Sequence, residues 1–199
     1  MDKNNYMRDM DYADSKPIYD KINDFIISKM ASIDPIVSIS AIPATNIELQ
    51  RKGIDKLCQG FSGKIYKIEE KVRRKKYSDI LFEIVADTRY GFYDSLQNCL
   101  ITTNFENKER AVGWALKDYE CDLLLYFFET ENDGYLFSWK KMQKIIMEEL
   151  PYWYEMAERE ENNGFGIRVA KNKNYNSLNV SVPIEVFLKK YRNVGGIII

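Results

Sequence analysis

Histidine is absent from the 199 residues of this chain, and no other feature of the composition narrows its chemistry as far. Without an imidazole there is no Ser-His-Asp or Cys-His nucleophile, no histidine acid–base pair and no histidine-containing zinc site. Cysteine is nearly as scarce. Cys58, Cys99 and Cys121 are too few and too scattered for an all-cysteine metal site or a disulfide framework. Long apolar runs are missing too: the densest, Leu123 to Phe128, has strand length and falls far short of the roughly 20 residues that span a bilayer. The opening Met1-Asp2-Lys3-Asn4-Asn5-Tyr6 has no apolar signal core. These absences point to a cytoplasmic protein with reduced thiols and no membrane partner. They leave any catalysis to carboxylates, lysines, hydroxyls or a metal held by oxygen.

With 45% hydrophobic residues, the chain can bury a real core, and without linker or repeat it reads as one domain over residues 1–199. The first sixteen residues, with Asp2, Asp9, Asp11 and Asp14, read as a loose arm. The net charge of −1 hides an uneven distribution. From Arg51 to Lys76 ten basic residues face only Asp55, Glu69 and Glu70, and from Arg168 to Arg192 six face only Glu185. Basic islands on an acidic background suit a polyanion-binding face, with Arg51, Lys52, Arg73, Arg74, Lys75, Lys76, Lys171 and Lys173 as candidate phosphate contacts. The plainer reading of Arg73 to Lys76 is an exposed hairpin tip.

Hydrophobic periodicity predicts a first helix from a Ser15 cap through Pro17 to Met30, with Ile18, Ile22, Phe25, Ile26 and Met30 as its core stripe. Pro35 and Pro43 bracket a short extended piece, Ile36 to Ser40. Strands are predicted over 54–58, 64–73 and 79–86 as an antiparallel meander, then a helix over 108–117 and a buried strand over 123–128. A turn at Asn132 to Gly134, a helix from about Ser138 to Leu150, a strand over 178–182 and a last helix over 183–191 complete the chain. The expected class is α/β (α+β), in the order α-β-β-β-α-β, with a mixed central sheet flanked by helices and a C-terminal α/β extension.

The chemistry concentrates in Gln50-Arg51-Lys52-Gly53-Ile54-Asp55 and Ile68-Glu69-Glu70-Lys71-Val72-Arg73. Side chains alternate along a strand, so Glu69 and Lys71 share one face and Glu70 takes the other. An aspartate on the neighbouring strand completes a cluster of two carboxylates and one ammonium. Two carboxylates can hold Mg²⁺ or Mn²⁺ by oxygen, and the lysine can orient or deprotonate water or steady a transition state. Glu83 joins this site if the hairpin pairs residues whose numbers sum to 152, and faces away if they sum to 151. Glu48 is either a ligand or a solvated loop acid.

Asp55 followed by Glu69-Glu70-Lys71 on successive strands resembles the PD-(D/E)XK nuclease superfamily. More narrowly, the Gln50-to-Asp55 and Ile68-to-Arg73 segments are similar to phage-associated and bacterial members with a Q-x-x-G-I-D segment before a D/E-x-K-V strand. Gly113-Trp114 and the run Asn179 to Ile184 look similar as well, and Ile54 stands where the superfamily name has proline. The resemblance covers residues 50–128 best. It implies a restriction-endonuclease-like αβββαβ core and metal-dependent cleavage of DNA, with Asp55 and Glu69 binding the metal, Lys71 catalytic, Gln50 at a commonly polar position and an acid on the first helix, for which Asp20 and Asp24 are the candidates. It leaves the oligomeric state open, a homodimer included. Two other readings stand beside it. One is a non-catalytic nucleic-acid-binding protein on the same fold; the other is an interaction domain in which Asp55, Glu69 and Lys71 form an ordinary salt-bridge cluster. Tyr152-Trp153-Tyr154 could stack on bases, although Trp114, Trp139 and Trp153 read better as packing residues.

Overall fold

The computed structural model describes residues 16–94, 96–97, 99–103, 108–159, 161, 163–172 and 174–197. Residues 1–15 of the expected arm, the Ser15 cap and Lys173 lie outside the described residues. In chain order the elements are α1 (Lys16–Met30), β1 (Ile36–Ala41), α2 (Ile47–Arg51), β2 (Lys56–Gly60), β3 (Ile65–Arg73), β4 (Asp79–Val85), β5 (Gly91–Asp94), β6 (Cys99–Thr102), α3 (Lys108–Ala111), a 3-10 turn (Trp114–Leu116), β7 (Leu123–Phe128), β8 (Asp133–Ser138), α4 (Trp139–Glu158), β9 (Gly166–Lys171), β10 (Asn176–Pro183) and α5 (Ile184–Asn193). The class is mixed α/β. The chain groups into two compact units.

One unit holds the described residues up to 76, then 118–142 and those from 194 on. Its sheet runs β1-β2-β3-β7-β8, antiparallel throughout except for the parallel pair β3–β7. The predicted stripe of α1 does the burying: Ile18, Ile22, Phe25, Ile26 and Met30 pack with Cys58, Tyr66, Ile68, Leu125, Phe127 and Leu136. The Phe25 and Phe127 rings meet edge-on at 5.4 Å. β7 is buried from Leu124 to Phe128, as its unbroken apolar sequence requires of a strand with a neighbour on each side. Asp20 and Asp24 lie on the exposed face of α1.

The other unit holds 77–117 and 143–193. Its larger sheet is β4-β10-β9, and β5–β6 form a separate hairpin. Ile80, Phe82, Ile84, Val180 and Val182 are buried, and Phe82 stacks on Trp153 at 5.4 Å and meets Phe187 at 5.5 Å. Trp153 is therefore a core residue, whereas Tyr152 remains exposed.

These pairings correct the expected meander. Its three strands are β1, β2 and β3, and β1 is the piece between the prolines. Residues 79–86 do form a strand, but β4 pairs with β10, and the free edge of β3 is taken by β7. Residues 73–76 are accordingly no hairpin tip. Past β3 the chain stays beside the end of β7, with Glu129 and Thr130 donating their N–H groups to the Arg73 and Arg74 carbonyls. The helix predicted over 108–117 is shortened to α3 and the 3-10 turn. Between them Gly113 takes an extended conformation that interrupts the helix, and a Cβ there would overlap the Glu83 carbonyl. The turn near Asn132 opens a further strand, β8, with Asn132 itself at φ +49°. α4 continues through Pro151 because Trp153, Tyr154 and Met156 on the next turns are buried. Among the described residues no helix is long and apolar enough to cross a membrane.

Candidate active site

The predicted trio lies wholly in the first unit, on the β2–β3 hairpin. Lys56 pairs with Ile68, so the antiparallel register sets Asp55, one residue before β2, across from Glu69. The Asp55 N–H donates to the Ile68 carbonyl at 2.8 Å, which fixes that alignment. In turn Asp55 Oδ2 accepts the Glu70 N–H at 2.8 Å, aiming the carboxylate along β3. There it comes close to the Glu69 carboxyl, and Glu69 Oε1 also forms an ion pair with Lys71 Nζ. Asp55, Glu69 and Lys71 thus converge on one face, as the alternation along β3 predicts.

Glu69 is buried, with 5% of its surface exposed. Burial pushes its carboxyl up to about 7; the Asp55 charge adds to the rise and the Lys71 ammonium opposes it. For Lys71, burial works against the charged form, but the Glu69 charge and hydrogen bond outweigh it and raise its pKa above the ordinary lysine value. The lysine therefore remains an ammonium at neutral pH, able to orient or stabilise but not to take up a proton.

Glu70 points to the opposite face, yet it is no surface group. Its side chain is 15% exposed and meets Lys56 Nζ at 3.4 Å. Lys56 is 2% exposed, and its ammonium lies 3.8 Å from the centre of the Tyr19 ring of α1. Burial pushes the Glu70 carboxyl up to about 7, against the pull of Lys56. Behind the trio there is thus a second carboxylate–lysine pair, anchored on α1 and joined to the front by the Glu70 N–H. Sequence reasoning missed Lys56 and Tyr19. The available signal was strand alternation, which turns Lys56 away from Asp55 and into the core.

Tyr119 was missed as well. Gly53 has φ +67°, and a Cβ there would overlap the Tyr119 ring, which also packs at 5.6 Å from Trp139. The glycine of the Gln50-to-Asp55 segment thus admits Tyr119 beside Lys71. Two forces oppose Gly53→Ala, left-handed backbone strain of about 1–2 kcal/mol and the ring overlap. Urea denaturation is expected to show a loss of at least that strain; an unchanged midpoint would mean that the turn does not hold Tyr119.

The remaining candidates sort by unit. Glu48 lies on α2 rather than in a loop; it is exposed and pairs with Lys52, which also reaches Glu120 at 3.5 Å. Gln50 donates from Nε2 to the Ile42 carbonyl at 3.5 Å. Glu83 belongs to β4 in the other sheet, so neither expected hairpin register exists; it accepts the Trp114 N–H at 3.4 Å. Among the basic candidates, Arg51, Arg74 and Lys75 are exposed. Arg73 donates to the Tyr126 hydroxyl at 3.2 Å, and Lys76 pairs with Asp133 at 2.8 Å. Lys171 is exposed on β9 of the other unit.

Among the described residues no group of three or more acidic or cysteine side chains is assembled to hold a metal. Asp55 and Glu69 nevertheless fit a hard dication. They are two facing carboxyl groups, one buried and driven toward its neutral form, and a cation between them would relieve that conflict. Mg²⁺ commonly takes one or two carboxylates and completes its shell with water and phosphate oxygens. Compared with models of protein families, with curated proteins and with solved structures, the chain matches none.

Proposed function

We propose that this protein is a Mg²⁺- or Mn²⁺-dependent nuclease of PD-(D/E)XK type that hydrolyses phosphodiester bonds in DNA. The observation that carries the reading is the meeting of Asp55, Glu69 and Lys71 on one face of the β2–β3 hairpin. The strand order adds support: three antiparallel strands followed by a parallel fourth, with one acid leading into the second strand and the other on the third, is the arrangement expected of a restriction-endonuclease-like core.

Asp55 and Glu69 would hold the metal, which supplies positive charge to phosphate oxygens that become more negative during hydrolysis. Lys71, kept protonated by Glu69, directs its ammonium at the attacking water or the phosphate. The Glu70 N–H keeps Asp55 in register with Glu69, and exposed Arg51, Arg74 and Lys75 offer charge to the backbone of the substrate.

The test is cleavage of plasmid, linear and single-stranded DNA, with RNA beside them, in Mg²⁺ or Mn²⁺. Asp55→Asn should remove cleavage and also the rise in unfolding temperature that Mg²⁺ gives the wild type. Cleavage surviving in Asp55→Asn rejects this site. Absence of both cleavage and metal-induced stabilisation in the wild type favours the salt-bridge reading of the trio.

A further inference from the structure

From Pro35 to Ile47 there is no charged residue, in a chain that is 30% charged, although most of this segment is exposed. A solvated surface has no reason to exclude charge over thirteen residues, whereas an edge that pairs with another strand does. Among the described residues β1 is the outermost strand of its sheet and has β2 on one side only. The Ile42 N–H is turned toward β2, where it donates to the Asp55 carbonyl at 2.7 Å. Backbone groups alternate sides along a strand, so Ile39 and Ala41 turn theirs to the open edge. The irregular register lies between Ile36 and Ser38 and leaves the run from Ser38 to Ala41 regular.

The edge also reads nearly alike in both directions about Ile39. Pro35-Ile36-Val37-Ser38 on one side mirrors Pro43-Ile42-Ala41-Ser40 on the other. Two identical strands paired antiparallel about a two-fold axis at Ile39 would set isoleucine against isoleucine, serine against serine and valine against alanine. The ladder would stop at proline on both ends, where an N–H is missing. Ile36 and Ile39 already pack at the margin of the α1 core, so pairing would continue that core across the axis. At the Pro35 end, Val37 is 58% exposed and Phe61 81%, with the Phe61 N–H held by the Pro35 carbonyl at 2.8 Å. The same pairing sets Ala41 of the second copy against Val37.

We infer that this protein forms a homodimer through antiparallel pairing of β1 with β1 of a second copy, joining two five-stranded sheets into one. The interface does not depend on what the Asp55 site does.

Sedimentation equilibrium of the full chain over the micromolar range tests it. The wild type should be a dimer. Ser38 and Ser40 are exposed, so both can be changed without disturbing the core. In this register S38K/S40K sets ammonium against ammonium across the axis and should be monomeric, with an unchanged circular dichroism spectrum. S38K/S40E sets ammonium against carboxylate at the same positions and should dimerise again. A monomeric wild type, or a dimeric S38K/S40K, overturns the interface; a folded but monomeric S38K/S40E beside a dimeric wild type overturns the register.

Discussion

Replacing Lys71 with alanine is expected to lower the rate of DNA cleavage by about 10²–10³-fold at saturating Mg²⁺, the usual loss when one preorganised donor to a developing charge is removed. Three features of the site give this expectation its detail. Lys71 is the cation paired with Glu69, its pKa is raised, and it shares the face of Asp55. Without it Glu69 loses the group that opposes its protonation, so its carboxyl, already at about 7, moves higher. The residual activity should therefore need a higher pH than the wild type. Asp55 remains in place, so Mg²⁺ should still raise the unfolding temperature of Lys71→Ala, unlike that of Asp55→Asn. A lysine that acts only through packing would lower stability and leave the pH profile where it was, and that outcome would remove Lys71 from the chemistry.

Breaking the pair behind the site should have the largest effect on stability. Lys56→Met keeps the length of the side chain but removes the buried ammonium beside Glu70 and over Tyr19. Loss of one partner of a buried ion pair costs about 3–5 kcal/mol, because the other charge is stranded. Here pH decides how much of that cost appears. The folded-state pKa of Glu70 is already raised to about 7, and loss of Lys56 raises it further. A carboxyl with a raised folded-state pKa binds protons more tightly in the folded state, so stability declines as pH rises from the unfolded value through the folded one. The loss in urea denaturation should therefore be larger at pH 8 than at pH 5, reaching its full size only once pH passes the raised Glu70 value. At pH 5 Glu70 takes up a proton, and the remaining loss, mainly the contact with Tyr19, should be on the order of 1–2 kcal/mol. Equal losses at both pH values would mean that Glu70 is not the group left unpaired.

The candidate site was more legible in the sequence than the sheet that carries it. Asp55, Glu69 and Lys71 lie within one hairpin, where strand alternation and a short turn fix which side chains meet. The same local logic ran out at the next strand. Residues 79–85 and 123–128 are both apolar strands able to fill the open edge of β3, and the nearer one is the natural choice. β7 holds the edge instead, and β4 finds its partner in β10, a pairing between segments nearly a hundred residues apart. Periodicity carries no information about which of two such strands wins. Lys56 and Tyr119 were hidden for a related reason, since their importance depends on Tyr19 and Gly53, which are distant from them in sequence.

The parallel pair β3–β7 bears on the order in which the molecule assembles. Parallel strands cannot be joined by a tight turn, and here everything between Arg73 and Leu123 must be looped out before they meet. The β2–β3 hairpin closes only a few residues and can form early. The acids and the lysine are thus brought into register by a short local loop closure, while the β3–β7 pairing, which closes by far the longer loop, comes later. Folding should accordingly show a fast phase sensitive to substitutions in the 60–64 turn and a slow phase sensitive to those in β7.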